Sequence, residues 1–334
     1  MKLLGCLRNG GKEFDFCLNQ NHENFFTKNE VYTFSDSKIF VHIDGAISKL
    51  SNEANTISSY YSSITEKIAY LHSIDFKVES HICGSFNIFF FNFKKKELKI
   101  IRDTRGTRSL YYAKNGEDFI FASDQSSLIK KIGNVSLNEG KLIEFLNWDY
   151  RLDEETFFKE IYIIKPNYCL IYKNKEFETP KYELSEDLFI DCKHEDYQES
   201  FKKIFYESIV NTINLDKRIG VMMSGGLDSS AIAIALKENN YTNVSTYSAN
   251  FNHIIDNENL DETIYQKNIS DLTSFNHSFI QMENKSPIKA VQKFTKIFNK
   301  PILFPNIYLF EEIIERLKKD DIEIVLDGND GDNT

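Results

Sequence analysis

The sequence predicts two domains of different class: an α+β domain built on antiparallel strands over residues 1–185, and an α/β domain with a parallel sheet over residues 186–334. Three observations carry this prediction. Up to about residue 180, aromatic and β-branched runs recur with polar hairpin turns between them. From residue 197 onward, short apolar runs alternate with amphipathic helical stretches. Between residues 220 and 236, GVMMSGGLDSSAIAIAL sets two glycines, three serines and an aspartate between an apolar run and a helical one.

In the first part, SFNIFFFNF (85–93), ELKIIRD (97–103), SLYYAK (109–114) and DFIFAS (118–123) read as strands, with NFKKKEL and KNGED as the turns joining them. Two stretches carry helical period instead, ISSYYSSITEKIAYLHS (57–73) and LNEGKLIEFLNWDY (137–150), and are expected to pack on the sheet. A linker is expected near 183–196. Beyond it, YQESFKKIFYESIVNTI (197–213) predicts a helix and RIGVMM a strand, with DSSAIAIALKENN the next helix and NVSTYSANF the next strand. DETIYQKNISDLT (261–273), HSFIQM, NIYLFEEIIERLKKD (306–320) and IEIVLD continue the alternation. Strands alternating with helices imply a parallel sheet covered on both faces.

A length of 334 residues with 41% hydrophobic and 14% aromatic content can fill two cores. The formal net charge of −10, with basic residues scattered among acidic ones, argues against nucleic acid or an anionic membrane as partner. Five cysteines without a CxxC pair or a Cys/His cluster give no zinc site and fit a reducing, cytoplasmic setting. The opening MKLLGCLRNGGKEF lacks the apolar centre of a signal peptide, and no apolar stretch reaches the length of a membrane span. The closing EIVLDGNDGDNT stops within an acidic, glycine-rich loop, where a domain is not expected to end.

The turn after a parallel strand opens onto the ligand crevice, and the next helix begins there with unpaired N–H groups. Gly225 and Gly226 permit close main-chain approach, and Ser224, Ser229 and Ser230 add hydroxyls, so the turn reads as an oxyanion cradle. No P-loop lysine follows. Asp228 stands in the cradle instead, and a carboxylate beside phosphates implies an intervening cation, Mg²⁺. A plain strand-to-helix turn would use the same serines only as caps.

The string S-G-G-L-D-S-S resembles the pyrophosphate loop of the ATP-pyrophosphatases, and its surroundings resemble the asparagine synthetase family. RDTRGTRSLYYAKNGEDFIFASDQSSLI (102–129) is similar to that family's Arg-Asp-x-x-Gly-x-x-Pro-Leu-Tyr-Tyr stretch and following strand. ETFFKEIYIIKPNYCLIY (155–172), DETIYQKNIS, NKPILFPNIYLF and the terminal VLDGNDGD follow in the family's order. The resemblance implies an Ntn-type glutamine amidotransferase-like sandwich, followed by an ATP-pyrophosphatase domain of the adenine nucleotide α-hydrolase-like kind. It implies ATP and Mg²⁺ as cofactors, Asp332 as a second magnesium ligand beside Asp228, and Ser224, Asp228 and Asp332 as catalytic. Position by position, Met223, Leu227 and Ala249 would border the nucleotide, and Asp327 and Gly328 would stand near ribose and α-phosphate. Asp327 departs from the family's serine there.

Glutamine-using members carry a nucleophilic cysteine after the initiator methionine; here that position is Lys2. Cys6 is expected inside the first strand. The family's Asn-Gly-Glu appears as Asp44-Gly45-Ala46, and the aspartate before Gly-x-Phe appears as Cys83. By this comparison glutamine is not hydrolysed, while Arg102, Asp103, Gly106, Leu110 and Tyr112 keep a structural role.

The resemblance thus implies an ATP-dependent ligase that adenylates a small-molecule or peptide carboxylate, with nitrogen from ammonia or a substrate amine. β-Lactam synthetases and lasso-peptide cyclases, which use an internal amine, are one alternative; a catalytically incomplete scaffold is another. A homodimer is compatible with either. His42, His72, His81, His194 and His277 read as core or surface residues, Trp148 as a packing residue, and Asp261 and Glu262 as helix-start residues with a weaker claim to catalysis.

Overall fold

The computed structural model describes residues 3–8, 13–18, 31–34, 37–148, 153–189, 196–213, 216–250, 262–282, 286–302 and 307–329. The chain divides into two compact units, Met1–Asp191 and Cys192–Thr334. The 3₁₀ turn Glu186–Leu188 lies in the first, where Asp187 accepts a 2.8 Å hydrogen bond from the Asn52 amide.

The described elements of the first unit are β1 (Leu3–Arg8), β2 (Glu13–Leu18), β3 (Val31–Phe34), β4 (Ser37–Leu50), α1 (Asn52–Ile57), α2 (Ile64–Ser73), β5 (Ile82–Asn92), β6 (Glu97–Arg102), β7 (Tyr111–Asn115), β8 (Asp118–Ala122), α3 (Gln125–Ile132), α4 (Glu139–Leu146), β9 (Tyr162–Ile163), β10 (Cys169–Lys173) and β11 (Glu176–Glu178). They form two antiparallel sheets, ordered β2-β1-β8-β7-β9 and β11-β10-β6-β5-β4-β3.

The unbroken run Ile88-Phe89-Phe90-Phe91 on β5 follows from its being covered on both faces. Phe89 and Phe91 meet Phe14 and Phe16 of β2 and Phe121 of β8 in the core between the sheets, where Phe89 and Phe121 stack at 5.4 Å. Ile88 and Phe90 point the other way, onto Ile68 and Leu71 of α2. On the outer face of the other sheet, Cys6, Ala113 and Ile120 pack under Leu128 of α3. The unit is therefore a helix–sheet–sheet–helix sandwich. Period-two side-chain alternation explains how one aromatic strand serves two cores.

Of the stretch 57–73 with helical period, only 64–73 is helical beyond Ile57, as α2; α1 precedes it and ends at Ile57. Ser58 ends α1, donating its hydroxyl to the Ala54 carbonyl at 2.6 Å, and Ser63 opens α2 with a reciprocal cap to Glu66. Serine hydroxyls compete for backbone groups, so the serine-rich 58–63 segment breaks the helix. Trp148 is not a packing residue. It follows the end of α4 at φ +57 and is 74% exposed.

The expected structural role of the 102–112 stretch holds. Arg102 is buried, and its guanidinium donates to the carbonyls of Ile164 and, at 2.6 Å, Gly106. Asp103, 1% exposed, accepts from the amide of Arg105 at 2.9 Å and the hydroxyl of Thr107 at 2.9 Å. Gly106 stands at φ +62, with room for no Cβ beside Pro166 and the Arg102 guanidinium. Leu110 and Tyr112 fill the core.

The histidines in the described residues are structural. His42 packs 4.9 Å from Phe16, and His277 shares a hydrogen bond with Thr246 at 2.7 Å. His72 stacks on Phe90 at 4.2 Å, and burial, with Lys99 and Lys95 nearby, holds its pKa down to about 3. A depressed histidine pKa leaves stability untouched above the unfolded value near 6.5, then removes it as the unfolded chain takes up the proton the folded one refuses. Stability should fall by up to about 1.4 kcal/mol per pH unit between roughly pH 6 and 4 from this group. Urea unfolding across that range checks this, with a His72→Phe variant expected to flatten the slope. His194 lies outside the described residues.

In the second unit the described helices are α5 (Tyr197–Thr212), α6 (Leu227–Glu238), α7 (Thr263–Thr273), α8 (Pro287–Phe298) and α9 (Tyr308–Lys319), and the described strands β12 (Ile219–Met222), β13 (Val244–Asn250), β14 (Asn276–Gln281) and β15 (Ile324–Leu326). All four strands are parallel, in the order β14-β13-β12-β15. Ile209 of α5 and Leu236 of α6 cover one face with Val221 and Val244; Ile313 and Leu317 of α9 cover the other with Tyr247 and Met222. From β12 the chain builds outward to β13 and β14, then crosses back to place β15 on the other side. The strand order reverses at β12, and such a switch point opens a crevice at the strands' C-terminal ends.

Candidate functional site

The loop Met223–Gly226 leaves β12 at that crevice, and α6 starts at Leu227 with Gly226 as its N-cap. Gly226 supplies no side-chain cap, so the first amides of α6 face outward without a protein side chain to satisfy them. Met223 anchors the loop. Its amide donates to the Tyr247 carbonyl at 2.8 Å and its carbonyl accepts the Ser248 hydroxyl at 2.5 Å, tying the loop's root to β13.

Gly225 is at φ +89, a conformation that a side chain resists, and an added Cβ would stand 3.0 Å from Cβ of Tyr265. The Ser224 and Ser229 hydroxyls lie 3.1 Å apart, and the Gly226 amide donates to Ser224 Oγ at 3.2 Å. These two serines thus brace the loop as well as edging the crevice. Ser230 is buried on α6, its amide donating to the Gly226 carbonyl at 3.1 Å.

A second loop closes on the first from β15. A Cβ at Gly328 would lie 2.7 Å from the Ser229 amide nitrogen and 2.9 Å from Cβ of Asp228, so only glycine lets the two backbones approach. Asp327 accepts the Asn329 amide at 3.0 Å, turning this loop over the start of α6. Between the loops lies a cleft of about 220 Å³. It is lined by Met223, Ser224, Gly226, Leu227, Asp228, Ser229, Ala249, Asp327 and Gly328, which the sequence proposed as site residues. Gly225 and Ser230 stand behind that lining. Asp332 and Asp261 lie outside the described residues. Among the described residues no three of His, Cys, Asp and Glu gather as a metal cluster.

Sequence reasoning missed part of the wall. Tyr247, Phe310 and Ile313 complete the cleft on its apolar side, Phe310 and Ile313 one helical step apart on α9. Their spacing on an amphipathic helix was a readable signal for burial, though not for a ligand. Gln266 of α7 was also missed; its amide donates to the Ser224 carbonyl at 3.3 Å. Glu262 is the N-cap residue of α7 and makes no side-chain cap.

The cleft offers first-turn amides, hydroxyls and a glycine-permitted main-chain approach on one side, and an aromatic and aliphatic wall on the other. That donor set suits a phosphate chain joined to a flat apolar group. Asp228 is the described carboxylate at the helix start available to a cation there.

In the first unit, Asp44 forms an ion pair with Arg108 at 2.9 Å. Cys6 lies in β1, as expected, 5% exposed, and burial together with Asp118 raises its thiol pKa. Burial raises Cys83 as well. Neither thiol is poised as a thiolate.

Residues 200–334 match the Asparagine synthase family, and residues 48–183 match the Glutamine amidotransferase domain family. A putative glutamine-hydrolysing asparagine synthetase of Methanocaldococcus jannaschii is 24% identical over 278 residues, covering 80% of this chain and 52% of that protein. The amidase chry2 of Gibberella zeae is 29% identical over 160 residues, 46% of this chain and 23% of that protein. The chain thus spans about half the length, or less, of these curated relatives. The solved structure of the allosteric regulatory enzyme of purine biosynthesis aligns over 93% of this chain and 85% of that one, with 10% identity and a TM-score of 0.36. An amidotransferase-like sandwich thus precedes a parallel-sheet asparagine synthase domain in this chain, and the two matches together with the asparagine synthetase relatives support the asparagine synthetase family.

Proposed function

We propose that this protein is an ATP-dependent amide ligase that activates a carboxylate by adenylation and does not hydrolyse glutamine. The observation that carries the reading is the glycine-permitted contact of the Gly328 loop with the start of α6, which builds a phosphate-sized cradle at the switch point of a parallel sheet. In this reading, ATP lays its adenine against Tyr247, Ala249 and Ile313 and its phosphates along Ser224 to Ser229. The substrate carboxylate, on a small molecule or a peptide, attacks the α-phosphorus; the acyl-adenylate forms, pyrophosphate leaves into the loop, and a nitrogen nucleophile then displaces AMP. The amides of α6 hold the leaving group's charge in place before reaction, so little reorganisation is needed during it. Magnesium, held by Asp228 with Asp332, would neutralise the charge accumulating on the pyrophosphate.

The first unit supports the second half of the proposal. An aspartate paired with arginine stands where an amide should stabilise an oxyanion, and Cys83 stands where an acid should hold an ammonium. Nitrogen then comes from ammonia or from an amine of the substrate itself.

Carboxylate-dependent pyrophosphate release, compared with ammonia, with glutamine and with no added amine, tests the reading. Glutamine should support no more turnover than its contaminating ammonia, and Asp228→Asn should lower release by about 100-fold or more. Turnover driven by glutamine and abolished by Cys6→Ala would overturn the reading of the first unit.

A further inference from the structure

We infer that Gln266 is a positioning residue for the phosphate loop: it fixes the Ser224–Gly225 peptide so that its amide is presented to an anion. This rests on the proposed nucleotide site. Gln266 lies on α7, 4% exposed, and its side-chain amide donates to the Ser224 carbonyl at 3.3 Å. A trans peptide is planar and sends its N–H opposite its carbonyl. Holding the Ser224 carbonyl toward α7 therefore turns the Gly225 amide away from α7. Gly225 then stands at φ +89 with its backbone packed on the same helix, so close that an added Cβ would lie 3.0 Å from Cβ of Tyr265 and 3.2 Å from the Gln266 nitrogen. The next amide, of Gly226, donates to Ser224 Oγ at 3.2 Å, so the Gly225 amide is the one this arrangement turns toward an anion.

The other end of the side chain argues against a role in stability. Gln266 Oε1 is buried and has no hydrogen-bond partner. An unpartnered buried carbonyl weakens a fold, and methionine, of similar length and without polar atoms, would remove that penalty. The glutamine is thus a worse choice for packing than an apolar residue. What it supplies is the donor to Ser224.

The experiment compares the full chain with its Gln266→Met variant by calorimetric titration of magnesium pyrophosphate, Mg-ATP and adenosine, alongside thermal unfolding. The variant should bind pyrophosphate and ATP about tenfold more weakly, adenosine equally, and unfold at the same temperature or higher. Gln266→Glu, which replaces the donor with a charge, should lose at least as much pyrophosphate affinity. Unchanged pyrophosphate affinity in both variants would overturn the inference. So would a lowered unfolding temperature with adenosine binding lost in parallel, which would make Gln266 a packing residue. A parent chain that binds none of the three ligands would overturn the nucleotide reading itself, and the inference with it.

Discussion

Gly328→Ala is expected to cut pyrophosphate release, and Mg-ATP affinity with it, by about 100-fold, the usual effect of an ångström-scale misplacement in a preorganised site. The added carbon would stand 2.7 Å from the Ser229 nitrogen, 2.9 Å from Cβ of Asp228 and 3.2 Å from the Asp228 carbonyl carbon, and all three belong to the first turn of α6. That turn cannot retreat, because its own Ser229 and Ser230 are buried. The loop carrying Asp327 must withdraw instead, and the cleft opens on the side where it now closes. Stability should change by less than about 1 kcal/mol, because the loop is exposed and can move. Titration with Mg-ATP, the release assay and a thermal melt check this. Affinity and release within threefold of the parent would show that the two loops need not touch.

Gly5→Ala should destabilise the first unit by about 3 kcal/mol or more, at the upper end of core overpacking. Gly5 pairs with Phe121 across β1 and β8, and a Cβ there would fall 2.0, 2.4 and 2.7 Å from ring carbons of Phe121. A flexible side chain could swing aside, but this ring has no exposed edge. It stacks on Phe89 at 5.4 Å and packs against Phe16 and Phe119 at 6.3 and 6.4 Å. Moving it displaces the aromatic core between the sheets. Denaturant unfolding followed by circular dichroism reads the loss, and Gly5→Ala combined with Phe121→Leu should recover part of it. A midpoint unchanged by the single substitution would mean that the core yields more readily than its packing implies.

The place of the glycine loop was legible because glycine announces its main-chain geometry, at a strand-to-helix junction that apolar patterning locates. Its partners were not. Phe310 and Tyr247, which line the cleft, and Gln266, which holds the Ser224 carbonyl from α7, come from other elements, and nothing in their local neighbourhoods marks that convergence. Several strands of the first unit were legible from aromatic runs, although β2, β3, β4 and α3 went unread. The eight residues of α3 carry too few turns to show a period, and its Asp124 cap sits inside a stretch dominated by strand signal. Helix α8 was overlooked although its apolar residues 288, 291, 294 and 297 recur at helical spacing behind a proline at the start. Trp148 misled because a large aromatic is normally buried, whereas here it follows a helix end at positive φ and faces water.

The knot formed by Arg102 and Asp103 engages main-chain groups almost throughout: two carbonyls for the guanidinium, and the amides of Arg105 and Thr107 for the carboxylate. Apart from the Thr107 hydroxyl, the clamp grips peptide groups, and so depends little on which side chains its neighbours carry. Positions such as 44, 46 and 83 can therefore carry other side chains without loosening that clamp.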